Sequence, residues 1–229
     1  MIDLTSTLGD LVTEDPRRAR VLEGFGLDYC CGGQRSLAAA SAEKGLDATG
    51  VALALDLPQP EAAPQWQALG LGGLADHIEA VHHTYMWDEL DRLRGLAEKV
   101  ARVHGERHPE LASVRDDYVA AADDLAPHLL KEERILFPAI RALDASGASG
   151  FGDIGAPIAM MMAEHDVAGE LFERMRATTG GYVVPADGCE SYRQLMVGLA
   201  TMEADLHEHI HKENNVLFPR TLQAQDAAR

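Results

Sequence analysis

The sequence predicts an all-α protein, an up-down-up-down four-helix bundle preceded by a small helical N-terminal domain. Three observations predict it. Four long segments each carry an apolar stripe at alternating steps of three and four residues, the spacing of a helix that buries one seam. The connections are short enough for antiparallel neighbours, and glycine-rich loops separate the later segments, as in such a bundle. No strand pattern competes, because only Tyr182-Val183-Val184 has strand character and it is very short.

The elements follow in chain order. Residues 1–56 hold short helical pieces. Asp15-Pro16 is an N-cap followed by proline at the first helical position, opening a helix through Arg20 toward Glu23. Gly24 and Gly26 close it. A second helix spans Ser36 to Lys44 and ends at Gly45. The stretch LPQPEAAPQWQ, residues 57–67, holds three prolines and reads as a linker. Residues 68–229 form the bundle. Its helices run from about Leu74 to Val103, Leu111 to Leu143, Ile154 to Arg176 and Glu190 to Leu222. Their seams are His83, Met86, Leu90, Leu93, Ala97, Val100; then Tyr118, Ala121, Leu125, His128, Glu132, Ile135, Ala139; then Ile158, Met161, His165, Ala168, Phe172, Met175; and last Met202, Leu206, His209, Glu213, Val216.

Composition excludes several classes. Of 229 residues, 37 are acidic and 20 basic, a formal charge of −17. Nucleic acid and anionic membrane surfaces need a basic patch instead, so neither is expected as a partner. No stretch approaches the roughly 18 apolar residues of a membrane span. The opening MIDLTSTLGDLVTEDP has no basic region followed by an apolar run, unlike a secretory signal. Three cysteines make no disulfide framework. A cytoplasmic protein with reduced thiols is expected.

The chemistry lies in a repeated phrase. HLLKEERILFP begins at His128 and HIHKENNVLFP at His209. Each places a Glu four residues after a His, so both side chains lie on one face, in the seam. Buried glutamate needs a partner or a metal. The other two helices supply one seam His each, and the offsets match: 82 residues from His83 to His165, 81 from His128 to His209. A single His-x-x-x-Glu is ordinarily a core histidine beside an exposed acid; two in matched seams with two further seam histidines are a ligand set. The candidates are His83, His128, Glu132, His165, His209 and Glu213. Four imidazoles and two carboxylates suit two iron ions, whose roughly twelve coordination positions would be filled by the histidines, two bridging carboxylates and an oxo or hydroxo bridge, with about two left open. A closed zinc site would use cysteine.

His82 competes with His83 but lies about 100° round the helix, and His83 keeps the spacing to His165. His77 reads as a partly buried non-ligand, His207 and His211 as solvated, and His104 and His108 as turn residues without a role. Asp124 and Glu164 lie near the ligands and read either as acids that orient them or as exposed helix acids. LDYCCGGQRSL places Cys30 and Cys31 before two glycines, Arg35 and a helix start. They read as reactive thiolates stabilised by amide dipoles and Arg35, or as small buried residues. Cys189 reads as structural.

LDYCCGG, DHIEAVHH, HLLKEERILFP, AEHDVAGEL and HEHIHKENNVLFPR, in that order, resemble the repair-of-iron-centres family of bacterial di-iron proteins over nearly the whole chain. The resemblance implies a hemerythrin-like bundle behind a short N-terminal domain, with metal ligands at the six positions above and paired cysteines at Cys30 and Cys31. It implies repair of iron–sulfur clusters damaged by nitric oxide or peroxide, by iron donation or by nitric oxide handling at an open di-iron site. Damaged iron–sulfur proteins are then the partners, and nitric oxide or oxygen the small ligand. The alternative is an oxygen or nitric oxide carrier or sensor of hemerythrin type, for which paired cysteines have no use. A di-iron oxygenase would carry more carboxylates.

Overall fold

The computed structural model describes residues 2–58, 65–150 and 152–228. Of the expected linker, residues 59–64 lie outside the described residues. The described residues are helical, with no strand beyond a single bridge between Thr7 and Ser36. The chain divides into two compact units: Met1–His77 with Ile140–Gly152 and His207–Arg229, and Ile78–Ala139 with Asp153–Leu206.

The first unit begins with four short helices, α1 (Leu8–Glu14), α2 (Arg18–Gly24), α3 (Leu37–Glu43) and α4 (Ala48–Leu55). Three open on capping side chains that accept an orphan backbone N–H: Thr7 from Asp10, Ser36 from Ala39, and Asp47 from Thr49 and Gly50. Asp15 accepts from the backbone N–H of Arg17, as an N-cap does, and a tight turn in which the Arg18 N–H donates to the Asp15 carbonyl at 2.9 Å leads into the regular helix at Arg18. Leu8, Leu11, Leu22, Leu37 and Leu55 are buried, each worth about 1.5–3 kcal/mol. Further on, the unit holds α5 (Leu71–Ile78), α8 (Phe137–Ser146) and α11 (Phe218–Ala227), apart from residues where a helix crosses the division.

The second unit is the bundle, built from α6 (Thr84–His104), α7 (Glu110–Lys131), α9 (Gly155–Thr178) and α10 (Glu190–Lys212), the last as far as Leu206. Packing pairs α6 with α7 and α7 with α9. Tyr118 on α7 donates to the Leu90 carbonyl of α6 at 3.1 Å and approaches the Met202 sulfur of α10 at 3.7 Å. Gly198 lets α10 close on α6: a Cβ there would sit 2.3 Å from Leu93 Cδ2.

Three turns depart from the α-helix. Glu79–His83, Glu132–Leu136 and Glu213–Leu217 are π turns, here π1, π2 and π3. Each closes on an i+5 bond: Thr84, Phe137 and Phe218 donate to the carbonyls of Glu79, Glu132 and Glu213. Proline explains two of them. Pro138 and Pro219 have no N–H for a bond four residues back, and their rings clash with that carbonyl; the widened turn before each absorbs the conflict. At π1 the Thr84 hydroxyl joins its own N–H on the Glu79 carbonyl. The extra residue shifts the seam. Ile135, expected inward, is 52% exposed, and Leu136 and Phe137 are buried in its place.

Candidate metal centre

The π turns sit where the candidate ligands sit. His83 ends π1, Glu132 opens π2 and Glu213 opens π3, in keeping with the frequency of such bulges at functional sites. All six candidates are 2% exposed or less.

In the bundle unit, His83 Nε2 and His128 Nε2 each stand 3.4 Å from Glu132 Oε2. His165 Nε2 lies 3.1 Å from His128 Nε2. The ligand atoms of His128, Glu132 and His165 fall within 4.8 Å of one another. In the first unit, His209 Nε2 lies 3.0 Å from Glu213 Oε1.

The outer ring nitrogens are held by carboxylates. His128 Nδ1 meets Glu164 Oε2 at 2.8 Å, and Lys131 binds the other Glu164 oxygen. Burial opposes the Glu164 charge, but Lys131 and His128 outweigh it and hold the carboxyl below its ordinary range. An ionised carboxylate only accepts, so His128 carries its proton on Nδ1. His83 Nδ1 meets Glu133 Oε1 at 3.2 Å, and the Trp87 indole donates to that same oxygen at 2.7 Å. Both imidazoles present Nε2 to the same buried Glu132 oxygen, so a cation seated there would meet three donor atoms at once. Outer carboxylates of this kind orient metal-binding histidines, and an imidazole–carboxylate set with no thiolate fits iron. The residues present fit the metal.

His82 is equally buried but turns elsewhere: its Nδ1 meets Asp205 Oδ1 at 2.8 Å. His82→Ala is expected to keep the near-ultraviolet iron absorption of loaded protein, whereas His83→Ala loses most of it. Absorption spectra after ferrous loading and air exposure check this; the reverse pattern assigns the ligand to His82.

Several sequence expectations change. His211 is 2% exposed, not solvated. Its ring packs edge-on against Tyr29, and burial depresses its pKa to about 4. His207 is half-buried, 3.3 Å from Glu23. His104 is buried and its Nε2 stands 3.1 Å from Cys189 Sγ. Cys189 is exposed rather than structural; His104 and the backbone N–H groups of Tyr192 and Ser191 lower its pKa to about 7. His108 bridges Glu110 and Asp187, so it too has partners. Asp124 is exposed; Glu133 and Glu164 are the acids on the ligand nitrogens. His77, by contrast, is half-buried as its reading expected.

The Cys30–Cys31 loop also differs. Cys30 is buried and Cys31 half-buried. The Asp28 carboxylate takes the backbone N–H groups of Cys30, Cys31 and Gly32. The Cys30 thiol donates to it at 3.2 Å. Arg35 pairs with Glu43 at 2.6 Å. Cys31, burial and Asp28 together push the Cys30 thiol well above its ordinary value, opposite to the expected stabilised thiolate.

The sequence reading missed Glu133; the available signal was that it stands where the two copies of the repeated phrase disagree, aligned with Asn214.

Fold and donor set together define a cation-binding helical bundle of the hemerythrin class. The chain belongs to the hemerythrin HHE cation-binding family, in the branch of the iron–sulfur cluster repair proteins. Residues 74–221 match the hemerythrin HHE cation binding domain, and residues 4–59 match a domain of unknown function, DUF542. The chain is 37% identical over 222 residues to the iron-sulfur cluster repair protein YtfE of Dickeya chrysanthemi, covering 96% of this chain and 97% of that one. It is 37% identical over 216 residues to the protein of the same name in Enterobacter sp. strain 638, covering 94% and 96%. The Escherichia coli SMS-3-5 protein is 36% identical over 217 residues, again covering 94% and 96%. No described helix is long and apolar enough to cross a membrane.

Proposed function

We propose that the chain repairs iron–sulfur clusters damaged by nitrosative or oxidative stress, using two iron ions held by His83, His128, Glu132, His165, His209 and Glu213. Glu132 and Glu213 are the bridging carboxylates in this reading. The observation that carries it is the fully buried Glu132 oxygen faced by the Nε2 atoms of two imidazoles whose outer nitrogens are held by Glu133 and Glu164. The repeated His-x-x-x-Glu and the relatives' name support the rest. Bound iron supplies exchangeable metal for a damaged cluster and open positions for nitric oxide or oxygen. The residues would hold it as a mixed set: imidazole nitrogens, carboxylates balancing the charge, and buried side chains such as Phe137, stacked on His83 at 5.3 Å, keeping water away. A carrier or sensor is the less favoured reading, because the chain also matches a separate N-terminal domain bearing the cysteine pair. The working compartment is the cytoplasm, and the partners are damaged iron–sulfur proteins.

The test loads the protein with ferrous iron and mixes it with an apo iron–sulfur protein, following cluster absorption and nitrous oxide side by side. Two irons per chain and recovered clusters are expected. One iron or none after reconstitution overturns the two-iron centre. Two irons without cluster recovery overturn repair and leave a carrier or sensor.

A further inference from the structure

Asn215 has a role that the ligand set does not assign. It lies in π3, two residues after Glu213, and its side chain enters the cysteine loop. Its Nδ2 donates to the Tyr29 carbonyl at 3.2 Å and the Cys30 carbonyl at 3.0 Å. Its Oδ1 accepts from Gln34 at 3.2 Å. Two glycines leave room for it. A Cβ on Gly33 would sit 2.3 Å from Asn215 Oδ1, and one on Gly9 2.6 Å from the same atom. The walls of the socket are themselves joined, since the Gly9 N–H donates to the Gly33 carbonyl at 2.8 Å. At the equivalent place in the first copy of the phrase stands Arg134, which is exposed.

We infer that Asn215 is a positioning residue that latches the Cys30–Cys31 loop to the turn carrying Glu213, so that the hold on Glu213 and the accessibility of the two thiols are coupled. The physical chain is short. Glu213 and Asn215 share one five-residue turn, so anything that orders the carboxylate orders the amide. The amide spans two successive carbonyls, those of Tyr29 and Cys30, and fixes the loop at the first cysteine. His211, on the preceding turn, adds its ring against Tyr29, with centroids 5.6 Å apart. Coupling of this kind is reciprocal. Iron that secures Glu213 shields the thiols, and a thiol drawn out toward a client loosens the turn that holds Glu213. The iron half of this inference rests on the proposed function; the latch itself does not.

The test uses the full chain with Cys189→Ser, so that only Cys30 and Cys31 report. Thiol labelling by an aromatic disulfide reagent is timed in chelator-stripped and ferrous-loaded protein. Iron is expected to slow labelling about fivefold or more, the lower range of allosteric coupling. Asn215→Ala is expected to speed labelling in stripped protein and to erase the difference on loading. Asn215→Asp has the same size and keeps an acceptor, but it cannot donate to the two carbonyls; it should behave as the alanine variant does, with helical circular dichroism unchanged. Iron affinity, read by equilibrium competition with a chelator, should fall in both by the factor by which loading ceased to protect the thiols. Wild-type labelling rates in both variants overturn the latch. Wild-type protein whose labelling ignores bound iron overturns the coupling. A chain that takes up no iron overturns the proposed function, while the stripped-protein comparison still decides the latch.

Discussion

Glu132→Leu is expected to leave the helices folded, to abolish the stable iron pair and to make the metal-free protein no less stable than wild type. The two signs differ for one reason. Glu132 is a carboxylate with no exposed surface, facing two imidazole nitrogens at 3.4 Å. Burying a carboxylate costs several kcal/mol, and replacement by an apolar side chain of similar volume is often neutral or stabilising by about 1–4 kcal/mol. The imidazoles left behind keep hydrogen-bond partners, because Glu133 and Glu164 hold their outer nitrogens. With metal present the balance reverses. A cation that binds only the folded state raises stability with its concentration over its dissociation constant, and without Glu132 that gain disappears. Metal analysis and paired thermal melts, stripped and loaded, check both signs. Iron retained at the wild-type level would remove Glu132 from the ligand set.

The helices and their seams were legible because helical periodicity is local, written every three to four residues. Met161, His165, Ala168, Phe172 and Met175 are buried as their spacing requires. Ile135 failed because a π turn adds one residue to the count, and nothing in a regular heptad announces it. Pro138 was the available signal, since a proline forbids the bond that a regular helix would make there. The candidate ligands could be picked out because buried carboxylates are rare. Their outer partners could not, because Glu133 meets His83 across helices, and an acid beside Glu132 looks like any solvated charge. The cysteine loop misled for a different reason. Arg35 and a helix start stand near the thiols in sequence, but Arg35 turns to Glu43 and Asp28 takes the nearby amides. Proximity along the chain gave the wrong sign of charge beside Cys30.

The double change Cys30→Ser, Cys31→Ser is expected to keep wild-type iron content and to reduce cluster restoration to the level seen without the protein. Iron content should hold because none of the six candidate ligands is a cysteine and because serine preserves the loop. A serine hydroxyl can donate to Asp28 as the Cys30 thiol does at 3.2 Å. The backbone amides stay on Asp28, and the Tyr29 and Cys30 carbonyls stay on Asn215. Restoration should fail because thiolates bind ferrous iron in transit and react with nitrosating species, and a hydroxyl does neither. The raised Cys30 pKa sharpens the expectation. At rest Cys30 is a buried thiol that donates to Asp28, so burial and Asp28 both oppose its thiolate until the loop opens. Transfer should therefore quicken as pH rises toward the Cys30 pKa in wild type and show no such rise in the serine variant. Iron analysis, cluster absorption in an apo client protein and a pH series of restoration rates make the measurement. Unchanged restoration would make the pair simple packing in a small helical core and leave the N-terminal helices a docking role.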